Sequence, residues 1–173
     1  NSGSVKTGGN NSGGIVGLSS SDINSASGFL TNNGDVTALG SNAGGITGKA
    51  DVPEGKSLII SRTQSAEGSV HASENAGGIV GYASGKLSIA DSYNRAAVSA
   101  DDNSPGGIIA SAVVAADISV SNSFSYIYVN GTVKETALAG IPGVVIQNSF
   151  YLVGEAFNTE TDNTAKKADE FKY

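Results

Sequence analysis

A five-residue motif, Gly-Gly-Ile-x-Gly, recurs along the chain at nearly constant spacing. Four copies begin at Gly13, Gly44, Gly77 and Gly106, and a degenerate fifth spans residues 139–143. Their isoleucines stand at positions 15, 46, 79, 108 and 141, so the intervals are 31, 33, 29 and 33 residues. Such a period predicts a repeat architecture in which each unit contacts only its neighbours. The residues expected to build the repeat are Gly13, Gly14, Ile15, Gly17, Gly44, Gly45, Ile46, Gly48, Gly77, Gly78, Ile79, Gly81, Gly106, Gly107, Ile108, Gly140, Ile141 and Gly143.

Each unit carries two further apolar stretches besides the Gly motif. A valine precedes each isoleucine by about ten residues, and the set is Val5, Val36, Val70, Val98 and, after a longer connection, Val129. A third stretch follows the motif, clearest at residues 87–93 and 118–124 and looser near Ile23 and residues 58–60. Its apolar residues alternate with small ones, which is the pattern of a strand.

Strands this short cannot bury an apolar face alone, but stacking successive units buries isoleucine on isoleucine and valine on valine. The sequence therefore predicts an all-β fold, a parallel β-solenoid of about five coils of about 31 residues each. Right-handed connections are the usual prior for such crossovers. Five coils about 4.8 Å apart would form a rod segment about 24 Å tall.

Glycine is abundant, with 24 residues in 173. The Gly pair before each isoleucine suits a corner that needs either a positive φ or a close approach of two backbones. Pro142 takes the place of Val16, Thr47, Val80 and Ile109 in the other units. Since proline cannot donate to a ladder, we expect it near the end of a sheet.

Two parts of the chain follow from this pattern. Residues 1–153 form the solenoid, and residues 154–173 leave the repeat. Residues 164–171 read as a short helix that would cover the open end of the solenoid, and the alternatives are a frayed end without order or a lead into a further domain. Because no comparable cap precedes Val5 and the chain contains no Met, we expect it to be part of a longer protein.

Composition excludes several classes of function. The chain has no Cys, so it has neither disulfides nor thiolate chemistry. The net charge of −6 argues against nucleic acid and anionic membranes as partners. No run of 18 apolar residues is present, so we expect no insertion into a membrane. The Gly-rich segments lack the Lys-Ser/Thr and helix of a phosphate loop, and nothing in the sequence implies a cofactor.

Chemically active side chains are scattered. The one histidine, His71, aligns with Thr37 and Ser99 and is expected to face solvent. The acidic residues form no column of the kind that paired-carboxylate hydrolysis needs. Asp101 and Asp102 lie in a predicted turn, for which a solvated loop is the expectation and Ca²⁺ binding stays open.

Two sets of residues are candidates for binding. Asp91, Asn122 and Asn148 occupy one column, which is either a ligand-binding stripe or, as we expect, a polar ladder bonded along the stack. Tyr126 and Tyr128 would form a carbohydrate platform if both face solvent, although packing is the default for aromatics.

These elements together resemble the GLUG-motif repeats of bacterial surface proteins. The pattern is Gly-Gly-aliphatic-x-Gly, preceded by Gly-x-Val and followed by Asn/Asp-Ser-Tyr/Phe, as in residues 77–81, 68–70 and 91–93 here. The resemblance covers about residues 3–152, with departures at Ala110, Ala139 and Pro142. It implies an extracellular or cell-surface location, in adhesin-like proteins or IgA-cleaving peptidases, and it carries over no catalytic residue.

We therefore expect a non-enzymatic surface module for adhesion, display or spacing in an exported bacterial protein. Its partner would be a host or bacterial surface protein or glycan. One alternative is a carbohydrate-active β-helix enzyme, which requires carboxylates or a basic residue such as Arg62, Lys86 or Arg95 to converge in a cleft. Another is an accessory domain of a large secreted peptidase.

Overall fold

The chain winds into an all-β parallel solenoid of about four turns. The computed structural model describes residues 1–103, 105–127, 138–153 and 156–157. The solenoid class is the one predicted from the repeat, with slightly fewer coils than the predicted five. Tyr128, Val129 and the predicted helix over residues 164–171 lie outside the described residues.

The first two coils contain nine short strands. The first coil holds β1 Val5–Thr7, β2 Asn11–Gly13, β3 Val16–Ser19 and β4 Leu30–Asn32. The second coil holds β5 Val36–Ala38, β6 Asn42–Gly44, β7 Thr47–Ala50, β8 Leu58–Ser61 and β9 Thr63–Ser65.

The later coils repeat this order. The third holds β10 Ser69–Ala72, β11 Asn75–Gly77, β12 Val80–Ala83, β13 Leu87–Ala90 and β14 Tyr93–Asn94. The fourth holds β15 Ala97–Ala100, β16 Ile109–Ala112, a 3₁₀ turn at Ala115–Asp117, β17 Ile118–Ser121 and β18 Phe124–Ile127. Beyond it lie β19 Val145–Gln147, β20 Phe150–Val153 and β21 Ala156–Phe157, the last pairing antiparallel with β20.

Each strand of a coil adds to a different sheet, so five sheets run along the solenoid. In stacking order they are sheet A (β1, β5, β10, β15), sheet B (β2, β6, β11), sheet C (β3, β7, β12, β16), sheet D (β8, β13, β17, β19) and sheet E (β4, β9, β14, β18, β20, β21). The sequence predicted three strands per coil, because the strands of sheet B consist of small and polar residues and the buried positions of sheet E in the first four coils are Asn, Thr and Ser, so neither shows an apolar alternation.

Equivalent apolar residues stack in the predicted columns. In sheet A, Val70 pairs with Val36 on one side and Val98 on the other. In the Gly-motif column, the backbone N–H of Ile46 donates to Ile79 O and that of Ile79 donates to Ile108 O, at 3.1 and 3.0 Å. These isoleucines are completely buried in one apolar cluster. The vertical register inferred from the repeat is confirmed here.

The looser third element also stacks as predicted. Ile60 pairs with Ile89 in sheet D, and Ile89 pairs with Val120. Ile23 joins the same column through an isolated bridge to Ile60. This column and the isoleucines of the Gly motif belong to one core cluster, whereas the sheet A valines form a second, smaller one.

The register predicted for the fifth copy is wrong. Ile109 bridges to Ala139, and the N–H of Ile108 donates to Leu138 O at 2.8 Å. Leu138 therefore continues the isoleucine column and is 3% exposed, whereas Ile141 is only half-buried. Ile141 and the flanking glycines at 140 and 143 do not repeat the earlier motif.

Pro142 lies outside the ladder in the observed register. The corresponding residue of the earlier coils donates its N–H to the next coil, as Val80 does to Ile108 O at 2.9 Å. Proline has no N–H to donate. The observed register moves it into an exposed turn that ends at Gly143, whose φ of +91° suits glycine.

The Gly pairs permit close approach, which was one of the two roles predicted for them. A Cβ on Gly44 would overlap the carbonyl of Thr47, three residues later in the same corner. A Cβ on Gly78 would overlap both Gly107 O in the next coil and the side-chain amide of Asn94 across the core. No positive φ occurs at Gly44 or Gly78. The neighbouring backbones can approach this closely because glycine carries only a hydrogen atom where other residues carry a Cβ.

Candidate interaction surface

The corner between sheets D and E has the same strained backbone in every coil from the second onward. Arg62, Asp91, Asn122 and Asn148 adopt φ values of +53°, +48°, +48° and +45°. Asn and Asp tolerate this left-handed conformation better than other residues with a side chain. The left-handed turn therefore partly explains why Asp91, Asn122 and Asn148 are all Asp or Asn.

The side chains of this corner bond along the stack. Asn122 Nδ2 donates to Asp91 Oδ1 at 3.1 Å, and Asn148 Nδ2 donates to Asn122 Oδ1 at 3.5 Å. Arg62 continues the column and directs its guanidinium to the carbonyls of Ser25 and Ala26. All three members of the predicted column are exposed, so the polar ladder that we expected is present at the surface.

A buried hydroxyl column lies directly behind this corner. Ser92, Ser123 and Ser149 each donate to the carbonyl two residues earlier, at 2.7, 2.8 and 2.8 Å. Each also accepts the N–H of its equivalent in the preceding coil, beginning with Thr63 N–H to Ser92 Oγ at 3.3 Å. The hydroxyls thus satisfy polar backbone groups inside the tube, which explains why Ser follows Asp or Asn in the motif.

An asparagine ladder at the start of sheet B was missed by the sequence reasoning. Asn42 Nδ2 donates to Asn11 Oδ1 and Asn75 Nδ2 donates to Asn42 Oδ1, both at 2.9 Å. Asn103 Nδ2 extends the ladder to Asn75 Oδ1 at 3.3 Å. The intervals of 31, 33 and 28 residues between positions 11, 42, 75 and 103 could have revealed it. Its two central members are buried, so the ladder holds the coils in register rather than offering a binding site.

Aromatic side chains line the outer surface of sheet E. The rings of Tyr93 and Phe124, which pair across coils three and four, are stacked with centroids 4.8 Å apart and planes 2° apart. Phe29 meets Tyr93 edge-on at 5.2 Å. The two ring faces that meet in this stack cover each other, so these two faces are closed to a sugar ring.

Tyr126 remains the described aromatic candidate for ligand contact. It is 41% exposed on the last strand of the fourth coil. The row proposed from the sequence also requires Tyr128, which is outside the described part of the chain. The platform therefore stays a prediction.

His71 lies in the cluster that most resembles catalytic chemistry. Its Nδ1 is 3.0 Å from Ser99 Oγ on the next coil, and its Nε2 is 3.7 Å from Asp101 Oδ2. A serine beside a histidine that faces a carboxylate is the arrangement of an activated nucleophile. The alignment of His71 with Ser99 was predicted, whereas the approach of Asp101 was not.

Among the described residues, no oxyanion-binding group is seen beside Ser99. Ser99 faces outward from strand β15, where backbone N–H groups point within the sheet towards neighbouring strands. They do not point at an oxyanion forming above the hydroxyl, which is the position that acyl transfer requires. The side chains of His71 and Asp101 are 36% and 65% exposed, so water is not excluded.

A further ion pair involves strand β7 of sheet C. Lys49 and Asp51 form an ion pair at 2.9 Å, and Ser84 Oγ donates to the same carboxylate at 3.0 Å. The hydrogen bond from Lys49, followed by that from Ser84, lowers the pKa of Asp51 below its ordinary value. Within the described residues, no three His, Asp or Glu side chains could hold a metal ion together. Asp101 and Asp102 therefore belong to no such group among the described residues. The side chains of Lys86 and Arg95 are exposed.

No helix in the described part of the chain is long and apolar enough to cross a membrane. The chain matches no protein-family model, no curated protein and no solved structure.

Proposed function

We propose that this chain is a non-enzymatic repeat module of an exported bacterial surface protein, serving adhesion, display or spacing. The stacked register carries the proposal, because every described coil repeats the same columns of small, apolar and amide side chains. Each added coil lengthens such a rod by about 4.8 Å without changing its cross-section. The resemblance to GLUG-motif repeats supports the extracellular location.

The lateral surface fits an adhesive role better than a catalytic one. Charged residues make up 15% of the chain, and the exposed corner of Asp91, Asn122 and Asn148 is a row of amide and carboxylate groups. Such groups bond to hydroxyls and amides of a glycan or protein without chemical change. Tyr126 lies on sheet E, which begins at this corner, and adds an apolar contact.

The proposal is tested by presenting the full chain to panels of glycans and extracellular proteins while assaying the same ligands for cleavage. We expect saturable binding with no product formed. Tyr126→Ala should weaken binding by about tenfold if the ligand meets sheet E, an amount equal to about 1.4 kcal/mol. Tyr82→Ala, which alters a tyrosine on sheet C, is the matched control and should leave the affinity unchanged.

The second candidate function is hydrolysis, and the His71, Ser99 and Asp101 cluster is the observation that favours it. Turnover of a polysaccharide or ester by the wild-type chain that disappears in both His71→Ala and Ser99→Ala would replace the binding proposal with this one. Turnover that survives both substitutions would point to a contaminating enzyme instead.

A further inference from the structure

The outer face of sheet E carries four large side chains in coils three and four. Side chains alternate between the two faces of a strand, and Asn94 and Ser125, which pair with each other, point inward and are buried. The residues on either side of these two point outward, namely Tyr93, Arg95, Phe124 and Tyr126. Because Tyr93 pairs with Phe124, Arg95 and Tyr126 take equivalent positions on adjacent coils, which lie about 4.8 Å apart. We call these four side chains the Arg95 patch.

The guanidinium of Arg95 is a cation without a counter-ion. It is exposed, and within the described residues no carboxylate forms an ion pair with it, although Glu67 is exposed in the turn of the preceding coil. The carboxylate of Asp91, at the other end of the strand, already accepts a hydrogen bond from Asn122 Nδ2 at 3.1 Å. The chain as a whole has a net charge of −6. A free guanidinium on its lateral surface is therefore complementary to an anionic ligand.

Tyr126 adds a ring beside this cation. Its side chain is 41% exposed, and no aromatic ring of the described residues stacks on it, whereas Tyr93 and Phe124 stack on each other. An exposed tyrosine ring packs against the CH groups of a sugar, and its hydroxyl bonds to sugar hydroxyls. Tyrosine and arginine are also the residue types that supply much of the binding energy at interfaces.

We infer that the Arg95 patch binds a carboxylated pyranose within a glycan. The N–H groups of Arg95 donate to the sugar carboxylate as a pair, while the ring of Tyr126 packs against the CH groups of the same sugar. The inference rests on the proposed function, because it gives the adhesive lateral surface a preference for acidic sugars.

The geometry favours an acidic sugar over an acidic peptide. An extended peptide binds a sheet by adding a strand to an edge, where backbone groups are free. Here the backbone groups are engaged between coils, as when Phe124 N–H donates to Ser92 O at 3.1 Å. The Arg95 patch therefore offers side chains only. Its span of about 5 Å between coils and about 7 Å along the strand suits a single sugar ring that carries carboxylate, hydroxyl and CH groups together.

Calorimetric titration of the full chain with two acidic probes tests the inference. One probe is an oligosaccharide of galacturonic acid, and its neutral counterpart is the same oligosaccharide with every carboxylate methyl-esterified. The other probe is sialyllactose, and its counterpart is lactose. We expect at least one acidic probe to bind at least about tenfold more tightly than its counterpart, and to bind more weakly as the salt concentration rises. The probe that binds identifies the kind of acidic sugar.

Substitutions then assign the binding to the patch. Arg95→Gln removes the charge but keeps a polar side chain, and should weaken binding by about tenfold or more. Arg95→Lys should restore only part of the affinity, because an ammonium group cannot pair with both carboxylate oxygens as a guanidinium does. The matched control is Lys86→Gln, which makes the same change in net charge at an exposed residue just before β13 and should leave the affinity within about twofold. Circular dichroism checks that each variant is folded.

Several results would overturn the inference. They are equal affinity for acidic and neutral probes, no binding of either acidic probe, equal losses in Arg95→Gln and Lys86→Gln, and binding of an acidic peptide in place of both sugars. The proposed function is judged separately by the panel of glycans and extracellular proteins. It stands if that panel yields a ligand other than an acidic sugar, and it fails if no ligand binds.

Discussion

Burial of equivalent isoleucines differs between coils, so one substitution has two predicted costs. Ile→Ala removes three carbon atoms, and about 0.8 kcal/mol for each gives about 2.4 kcal/mol of lost transfer free energy at a buried site. Ile79 is 0% exposed, so the cavity adds to this and we expect the free energy of unfolding to fall by about 3 to 4 kcal/mol. Ile15 is 38% exposed and borders solvent, so Ile15→Ala should cost about 1.5 kcal/mol or less.

Urea unfolding of the two variants, followed by circular dichroism and by hydrogen exchange, measures the difference. Exchange is needed because repeat arrays lose cooperativity between distant coils. Ile79→Ala should speed opening in coils two to four, whereas Ile15→Ala should act mainly on coil one. An equal loss of unfolding free energy at the two positions, or a larger loss at Ile15, would refute the reasoning that the Ile79 side chain is enclosed and the Ile15 side chain is partly open to solvent.

Three further predictions concern the other columns. Gly78→Ala should destabilise the fold by about 3 kcal/mol, because the new Cβ overlaps Gly107 O and Asn94, whereas Gly9→Ala meets nothing and should be nearly neutral in the same unfolding assay. Asn75→Ala should cost about 1 to 3 kcal/mol by leaving Asn42 Oδ1 buried without its donor, while Asn24→Ala on the surface should change stability by less than about 0.5 kcal/mol. The pKa of Asp51, measured by NMR, should lie below 3.8, and Lys49→Met should raise it. Because the pKa of Asp51 is lower in the folded chain than in the unfolded chain, this carboxylate stabilises the fold at neutral pH, and the stabilisation is lost as the pH falls through the folded-state pKa.

The class of fold could be predicted from the sequence because the largest buried side chains recur with the repeat. Ile46, Ile79 and Ile108 recur at nearly constant spacing, and a short strand can bury such residues only by stacking. Sheet B and the polar buried positions of sheet E could not be read in the same way. The Asn-Ala-Gly of β6 and the Thr-Gln-Ser of β9 are buried through ladder bonds and close backbone contact, neither of which gives an apolar period.

The end of the array and the surface clusters were harder to predict for different reasons. Gly140-Ile141-Pro142-Gly143 matches the motif in letters, but the ladder instead uses Leu138 and Ala139, which look unrelated to it. Asp101 lies near His71 because the chain directly after β15 continues alongside β10, where the Asp101 N–H donates to Ala72 O at 3.3 Å, but the alignment of His71 with Ser99 does not show that the carboxylate turns towards the imidazole. The polar column of Asp91, Asn122 and Asn148 was predictable, since the same turn repeats with Asp or Asn at its left-handed position.

The amide ladders give the solenoid a direction. In both the sheet B ladder and the surface ladder, each asparagine that donates does so towards the N-terminal side. Reversing one module within a series would bring two side-chain N–H groups together at one junction and two side-chain oxygens together at the next. Arrays of this unit should therefore grow with a single sense, so that every module in a row offers its lateral surface at the same angle to whatever lies alongside.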